Sequence, residues 1–114
     1  MPDPASRSDL VPGTLEMLIL KTLLRGAQHG YGIAQRIDEA SGGVLHVEEG
    51  SLYPALQRML MKGWVTAEWS QTELNRKARF YKLTPPGKKQ LSIEVEEFRR
   101  VTRAIESILQ PGDA

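Results

Sequence analysis

Three short apolar-striped segments, two alternating segments around a basic turn, and a long amphipathic stretch at the end predict an α+β fold. The expected architecture is a winged helix-turn-helix of three helices and a two-stranded β-wing, followed by a long C-terminal dimerisation helix. Two observations carry this reading. Residues 50 to 87 run without interruption from a helical pattern through a basic hairpin into a new helix start. Apolar residues in the last segment then recur every seven positions, the spacing of a helix that packs against a partner helix.

The first helix is expected from Thr14, as N-cap, to Leu24, with Leu15, Leu18, Ile19 and Leu23 at helical spacing and Gly26 as the stop. After a turn at Gln28-His29-Gly30, a second helix from Tyr31 to Ala40 places Ile33, Ala34 and Ile37 on one face, and Ser41-Gly42-Gly43 closes it. Val44 to Val47 reads as a short β-compatible link. A third helix follows, with Leu52, Leu56, Met59 and Leu60 as its buried stripe, Pro54 in its first turn and Gly63 at its end.

Val65, Ala67 and Trp69 alternate, as do Tyr81 and Leu83, and the polar run Gln71 to Ala78 lies between them. This is the pattern of a hairpin with Trp69 facing inward. Thr84 before Pro85-Pro86 supplies a cap and a first-turn proline, and the helical pattern then continues to Pro111-Gly112. Leu91, Phe98 and Ile105 form the seven-residue seam, with Val95, Val101 and Ile108 beside it.

These boundaries divide the chain into a loose arm at 1–9, a DNA-binding domain at 10–84, a dimerisation helix at 85–110 and a tail at 111–114. The arm holds two prolines, two serines and few apolar side chains. At 114 residues there is room for one small domain, which a second copy would help to stabilise.

Charge is distributed unevenly. Residues 51 to 90 carry eight Lys/Arg against two acids, while residues 1 to 50 carry four against seven and residues 91 to 114 three against five. A basic middle on a chain of net charge +1 is the footprint of a surface that neutralises phosphates. The absence of cysteine excludes disulfides, thiolate metal sites and a cysteine nucleophile. His46 with Glu48 and Glu49 is too thin a ligand set for a metal. Glu94, Glu96 and Glu97 read as partners of Arg99, Arg100 and Arg103 along a helix rather than as paired catalytic carboxylates. No enzyme activity and no cofactor is expected. With no basic segment leading into an apolar run and no stretch of about 20 apolar residues, the chain is expected in the cytoplasm and not in a membrane.

On the third helix, Gly50, Pro54, Gln57, Arg58 and Met61 lie opposite the buried stripe, with Ser51 and Tyr53 at the margins. Gln57 and Arg58 offer donors for base edges in a major groove, Ser51 and Tyr53 offer hydroxyls for phosphates, and Pro54 and Met61 suit thymine methyls. Lys62 extends the basic flank, and Arg76, Lys77 and Arg79 stand at the hairpin, where cations reach a backbone without desolvating a core. Trp64 is expected to pack where the third helix meets the first hairpin strand. The alternative to sequence-specific binding of double-stranded DNA is a winged helix that serves only as a protein-interaction module.

The runs Gly30-Tyr31-Gly32-Ile33, Gly50-Ser51-Leu52-Tyr53-Pro54-Ala55-Leu56, Lys62-Gly63-Trp64-Val65 and Arg79-Phe80-Tyr81-Lys82-Leu83-Thr84-Pro85-Pro86-Gly87 resemble the PadR family of bacterial winged-helix regulators, in the right order and over about Leu10 to Leu109. The resemblance implies a homodimeric transcriptional regulator, usually a repressor, on a pseudo-palindromic operator. Its third helix would enter the major groove, and its wing would touch the flanking backbone. With a single C-terminal helix the chain is similar to the short subclass, in which that helix and the first helix build the dimer; Leu15, Leu18, Leu91, Val95, Phe98, Val101, Ile105 and Ile108 are the matching positions. Some short members bind flat aromatic compounds between the subunits through an aromatic residue of the last helix. Phe98 is similar in position, with phenylalanine where those members have tryptophan, and a plain seam residue at helical spacing is the reading favoured over a ligand pocket.

Overall fold

The computed structural model describes residues 13–112, so the arm at 1–9 and the end of the tail lie outside the described residues. The chain runs α1 (Leu15–Leu23), β1 (Gln28–His29), α2 (Gly30–Ala40), α3 (Glu49–Met61), β2 (Val65–Gln71), β3 (Lys77–Leu83) and α4 (Pro85–Leu109). The three strands form one antiparallel sheet in the order β1-β3-β2. The winged helix-turn-helix and its long last helix are therefore present, with one strand more than the hairpin.

That extra strand corrects the reading of Gln28-His29 as part of a turn. Gln28 pairs with Tyr81 and His29 with Phe80, which ties the start of α2 to the base of the wing. Two residues are too few to show alternation, so only the pairing partner reveals them. The Val44–Val47 link forms no strand of the sheet, though Leu45 makes an isolated bridge.

The core is built where the helical stripes meet. Ile19, Leu20, Ile33, Leu52, Leu56 and Met59 are fully buried, and Val65, Tyr81 and Leu83 close the sheet side. In α1 the buried set is Met17, Ile19, Leu20 and Leu23, whereas Leu15 and Leu18 are half-buried toward the last helix. Helix α1 is apolar on more than one face, so spacing alone did not choose which face turns inward. In α3 the helix begins at Glu49, which moves Pro54 from the expected first turn to the second. A proline there gives no N–H to the carbonyl of Gly50.

Helix α4 starts as expected: Thr84 Oγ1 accepts the N–H of Gly87 at 3.1 Å and donates to the Gly63 carbonyl at 2.7 Å. Its first turns pack on α1 through buried Leu91 and half-buried Val95. Beyond them the helix leaves the body, and the radius of gyration, 16.0 Å, exceeds the ~13 Å of a compact chain of about this length. No helix among the described residues is long and apolar enough to cross a membrane.

Candidate nucleic-acid interface

The outward face of α3 is a strip made by Gly50, Pro54, Gln57 and Met61, all exposed, with Ser51 exposed on one margin. A side chain at Gly50 would meet nothing within 4 Å. The helix backbone is thus bare at its N-terminal end, and with the proline ring one turn on it gives a low, flat approach for a ligand surface. Tyr53 stands on the other margin. Its ring crosses the start of α2 so closely that a Cβ at Gly30 would lie 2.9 Å from it, which fixes the contact between the two helices of the helix-turn-helix. Burial lifts the Tyr53 phenol above its ordinary value, with Glu49 and Tyr81 adding to the rise, so it remains a hydrogen-bond donor at neutral pH.

Arg58 and Lys62 occupy the opposite flank, and both reach Glu16 of α1. Arg58 Nε lies 3.2 Å from Glu16 Oε1, and Lys62 Nζ lies 3.9 Å from Oε2 and 4.5 Å from the centre of the Trp64 ring. Trp64 packs partly against the core, as its position between α3 and β2 suggested. Spacing gave no sign of the Glu16 contact, because its partners are 42 and 46 residues away along the chain. Below Glu16, Glu94 of α4 has a buried Oε2 with no hydrogen-bond partner. Burial raises its carboxyl above the ordinary range, opposed by a hydrogen bond from Gln90. Glu94 is therefore near Glu16 of α1 and Lys62 at the end of α3 as well as Gln90 one turn back on its own helix. Glu97 does take the expected helical partner, accepting from Arg100 Nε at 3.1 Å.

The hairpin turn is Thr72 to Arg76, shorter than the polar run suggested, because β2 and β3 stay paired out to Gln71 and Lys77. Thr72 organises it: its Oγ1 accepts the N–H of Leu74 and of Arg76, and its N–H donates to the Arg76 carbonyl at 2.8 Å. Asn75 takes the left-handed conformation, with φ 59°, that the tight turn needs. Arg76, Lys77 and Arg79 are exposed, and Arg79 lies 6.0 Å from the Tyr81 ring. Trp69 was expected in the core. It shares a face with Val65 and Ala67, yet the hairpin has outrun the helices by that point and the residue is 69% exposed beside Arg79, its cross-strand partner. Alternation gives the face of a strand, not where its cover ends.

The histidines belong to local structure. His29 caps α2, its Nδ1 accepting the Gly32 N–H at 3.0 Å, and His46 lies between Asp38 and Glu48 at 3.8 and 3.2 Å. Among the described residues no group of three or more His, Cys, Asp or Glu side chains is placed to hold a metal ion.

At the far side of the molecule, α1 and α4 border an open groove of about 670 Å³ lined by Met17, Leu18, Leu91, Val95 and Phe98, with Lys21 and Arg99 among its cations. Phe98, Val101, Ile105 and Ile108 continue along α4 as exposed side chains.

This architecture has solved counterparts. A transcriptional regulator from Clostridium thermocellum superposes with a TM-score of 0.79 at 24% identity, over 86% of this chain and 95% of its own, a likeness of fold. A PadR family transcription regulator from Clostridium difficile gives a TM-score of 0.73 at 30% identity, over 86% of this chain and all of its own. An uncharacterized protein of Lysinibacillus sphaericus is 30% identical over 104 residues, 91% of this chain and 95% of that protein. The model of the transcriptional regulator PadR-like family matches residues 19–93. Sequence and backbone thus agree over most of the chain, and the protein belongs to the PadR-like family of DNA-binding transcriptional regulators.

Proposed function

We propose that the protein is a homodimeric repressor that binds a pseudo-palindromic operator and covers a promoter. The observation that supports this most is the bare strip Gly50-Pro54-Gln57 on α3, with the basic hairpin on the same chain. In this reading residues 10–84 are the DNA-binding unit. Helix α3 enters the major groove with Gln57 and Arg58 toward base edges, while Ser51 and Tyr53 hold phosphates and Pro54 meets thymine methyls. Lys62, Arg76, Lys77 and Arg79 take flanking phosphates. Residues 85–110 join two copies through the α4 seam and the half-buried Leu15 and Leu18 of α1. The two reading helices then stand about 34 Å apart, one turn of B-DNA.

A small aromatic effector would relieve repression by settling against Phe98 in the α1–α4 groove, provided it binds the DNA-free form more tightly than the bound one. The experiment is fluorescence-anisotropy titration of the protein against duplex DNA from upstream of its own gene and against a scrambled duplex, over a salt series. Preference for the upstream duplex with a steep salt slope is the expected result. Weak, salt-insensitive binding to both would replace this reading with that of a protein-interaction module.

A further inference from the structure

Tyr31, the second residue of α2, is 70% exposed, yet its ring has a fixed seat. It lies nearly parallel to the His29 imidazole, with centroids 6.4 Å apart and planes 14° apart, and His29 in turn meets Phe80 of β3 edge-on at 5.2 Å and 85°. His29 is held by two further bonds: its Nδ1 accepts the Gly32 N–H, and its backbone N–H donates to the Gln28 side chain at 2.9 Å. A column of three rings anchored in the sheet therefore presents the Tyr31 hydroxyl to solvent. A side chain already ordered in this way loses little freedom when it binds.

The position of that hydroxyl is informative. Tyr31 borders two clefts at once: one shared with Thr72, Arg76 and Lys77 of the wing turn, the other shared with Gly50 and Tyr53 of α3. With Gln35 it borders both the cleft of the basic hairpin and that of the outward strip of α3. The first turn of α2 contains no acidic residue. The cleft on the α3 side also carries Asp38, Glu39, Glu48 and Glu49, whereas the wing-side cleft sets Arg76 and Lys77 against the single acid Glu73, so an anion is met from the wing side.

We propose that Tyr31 is a third anchoring point for DNA. Its phenolic hydroxyl donates to a backbone phosphate lying between those taken by the wing and the groove entered by α3, and so fixes the register of α3 along the duplex. The proposal deepens the DNA-binding reading above and rests on it. A neutral donor releases no counterion on its own account, so it adds affinity without adding to the salt slope, unlike Arg76 and Lys77.

The test compares the full-length protein with Tyr31→Phe, which removes the hydroxyl and keeps the ring column, and with Tyr31→Ala. Each is titrated against the upstream and scrambled duplexes over a salt series, mapped by phosphate-ethylation interference, and checked for folding by thermal melting. For Tyr31→Phe a roughly 5- to 30-fold loss on both duplexes is expected. The salt slope should be unchanged, and one phosphate per half-site should cease to interfere when ethylated. Wild-type affinity with an unchanged interference map would overturn the proposal. So would loss in Tyr31→Ala alone, which would assign the residue to packing. If the unsubstituted protein binds neither duplex in a salt-dependent way, the failure lies in the DNA-binding reading and shows before any variant is made.

Discussion

The helix-turn-helix body and the outer half of α4 treat the same kinds of side chain in opposite ways. In the body, Ile19, Leu20, Ile33, Leu56 and Met59 are wholly removed from water. On α4, beyond Val95, Phe98 is 44% exposed, Ile105 49% and Ile108 81%. Both regions carry apolar residues at helical spacing, but among the described residues only the first has neighbours to cover them. The body is a closed core; the end of α4 is an uncovered apolar seam, and a seam of this length marks an interaction surface.

The largest effect expected from this contrast is in the body. Leu56→Ala leaves a cavity where nothing can relax from solvent, and should lower stability by about 3 kcal/mol, read as a shift in the urea midpoint that does not depend on protein concentration. A loss well under 1 kcal/mol would show that the core is looser than its burial implies.

Ile105→Glu tests the other half. It should leave the helical content and core of the body intact while shifting sedimentation from dimer to monomer, with dimer affinity reduced at least tenfold, or about 1.4 kcal/mol. If two half-sites act together, as in the homodimer reading proposed above, DNA binding should fall with it. A variant that still sediments as a dimer would place the interface elsewhere.

Glu16 links α1, α3 and the start of α4, since it stands near Glu94 of α4 and pairs with Arg58 of α3 and Lys62 just beyond its end. Glu16→Gln releases two cations from a carboxylate, so binding to any duplex should tighten a few-fold and its salt dependence steepen. The size is small because Arg58 and Lys62 are solvated and such pairs are weak. Weaker binding would instead make the contact a brace that positions α3.

The smallest effect concerns Glu94. Its carboxyl is raised mainly by burial, so the folded chain keeps the proton to higher pH than the unfolded chain does. Ionisation therefore costs the folded state, and the cost appears as pH rises from the ordinary carboxylate range through the raised value. Much of the side chain remains solvated, which limits the magnitude. Glu94→Gln should raise Tm at pH 7 by about 2 °C and leave it unchanged at pH 4. An equal rise at both values would point to packing and not to charge.

Much of this was legible in the residues. Thr84 with Pro85 announced the start of α4, the Val65/Ala67 and Tyr81/Leu83 alternation announced the hairpin, and Leu52, Leu56 and Met59 announced the inner face of α3, because each rests on chemistry local to a few positions. The outward residues of α3 and the basic hairpin were legible for the same reason. The Glu16 contact, the strand at Gln28–His29, the exposure of Trp69 and the seat of Tyr31 were not, since each depends on a residue far away in the chain or on where a neighbouring element ends.

Periodicity and composition set which of the longer segments become helices and strands, which face of most of them is apolar, and where positive charge collects. Packing settled which face of α1, apolar on more than one side, turns inward, that Arg58 and Lys62 share one carboxylate, and that Tyr31 borders the clefts of both the hairpin and α3. Those outcomes follow from packing distances between segments that the chain brings together only after it has folded.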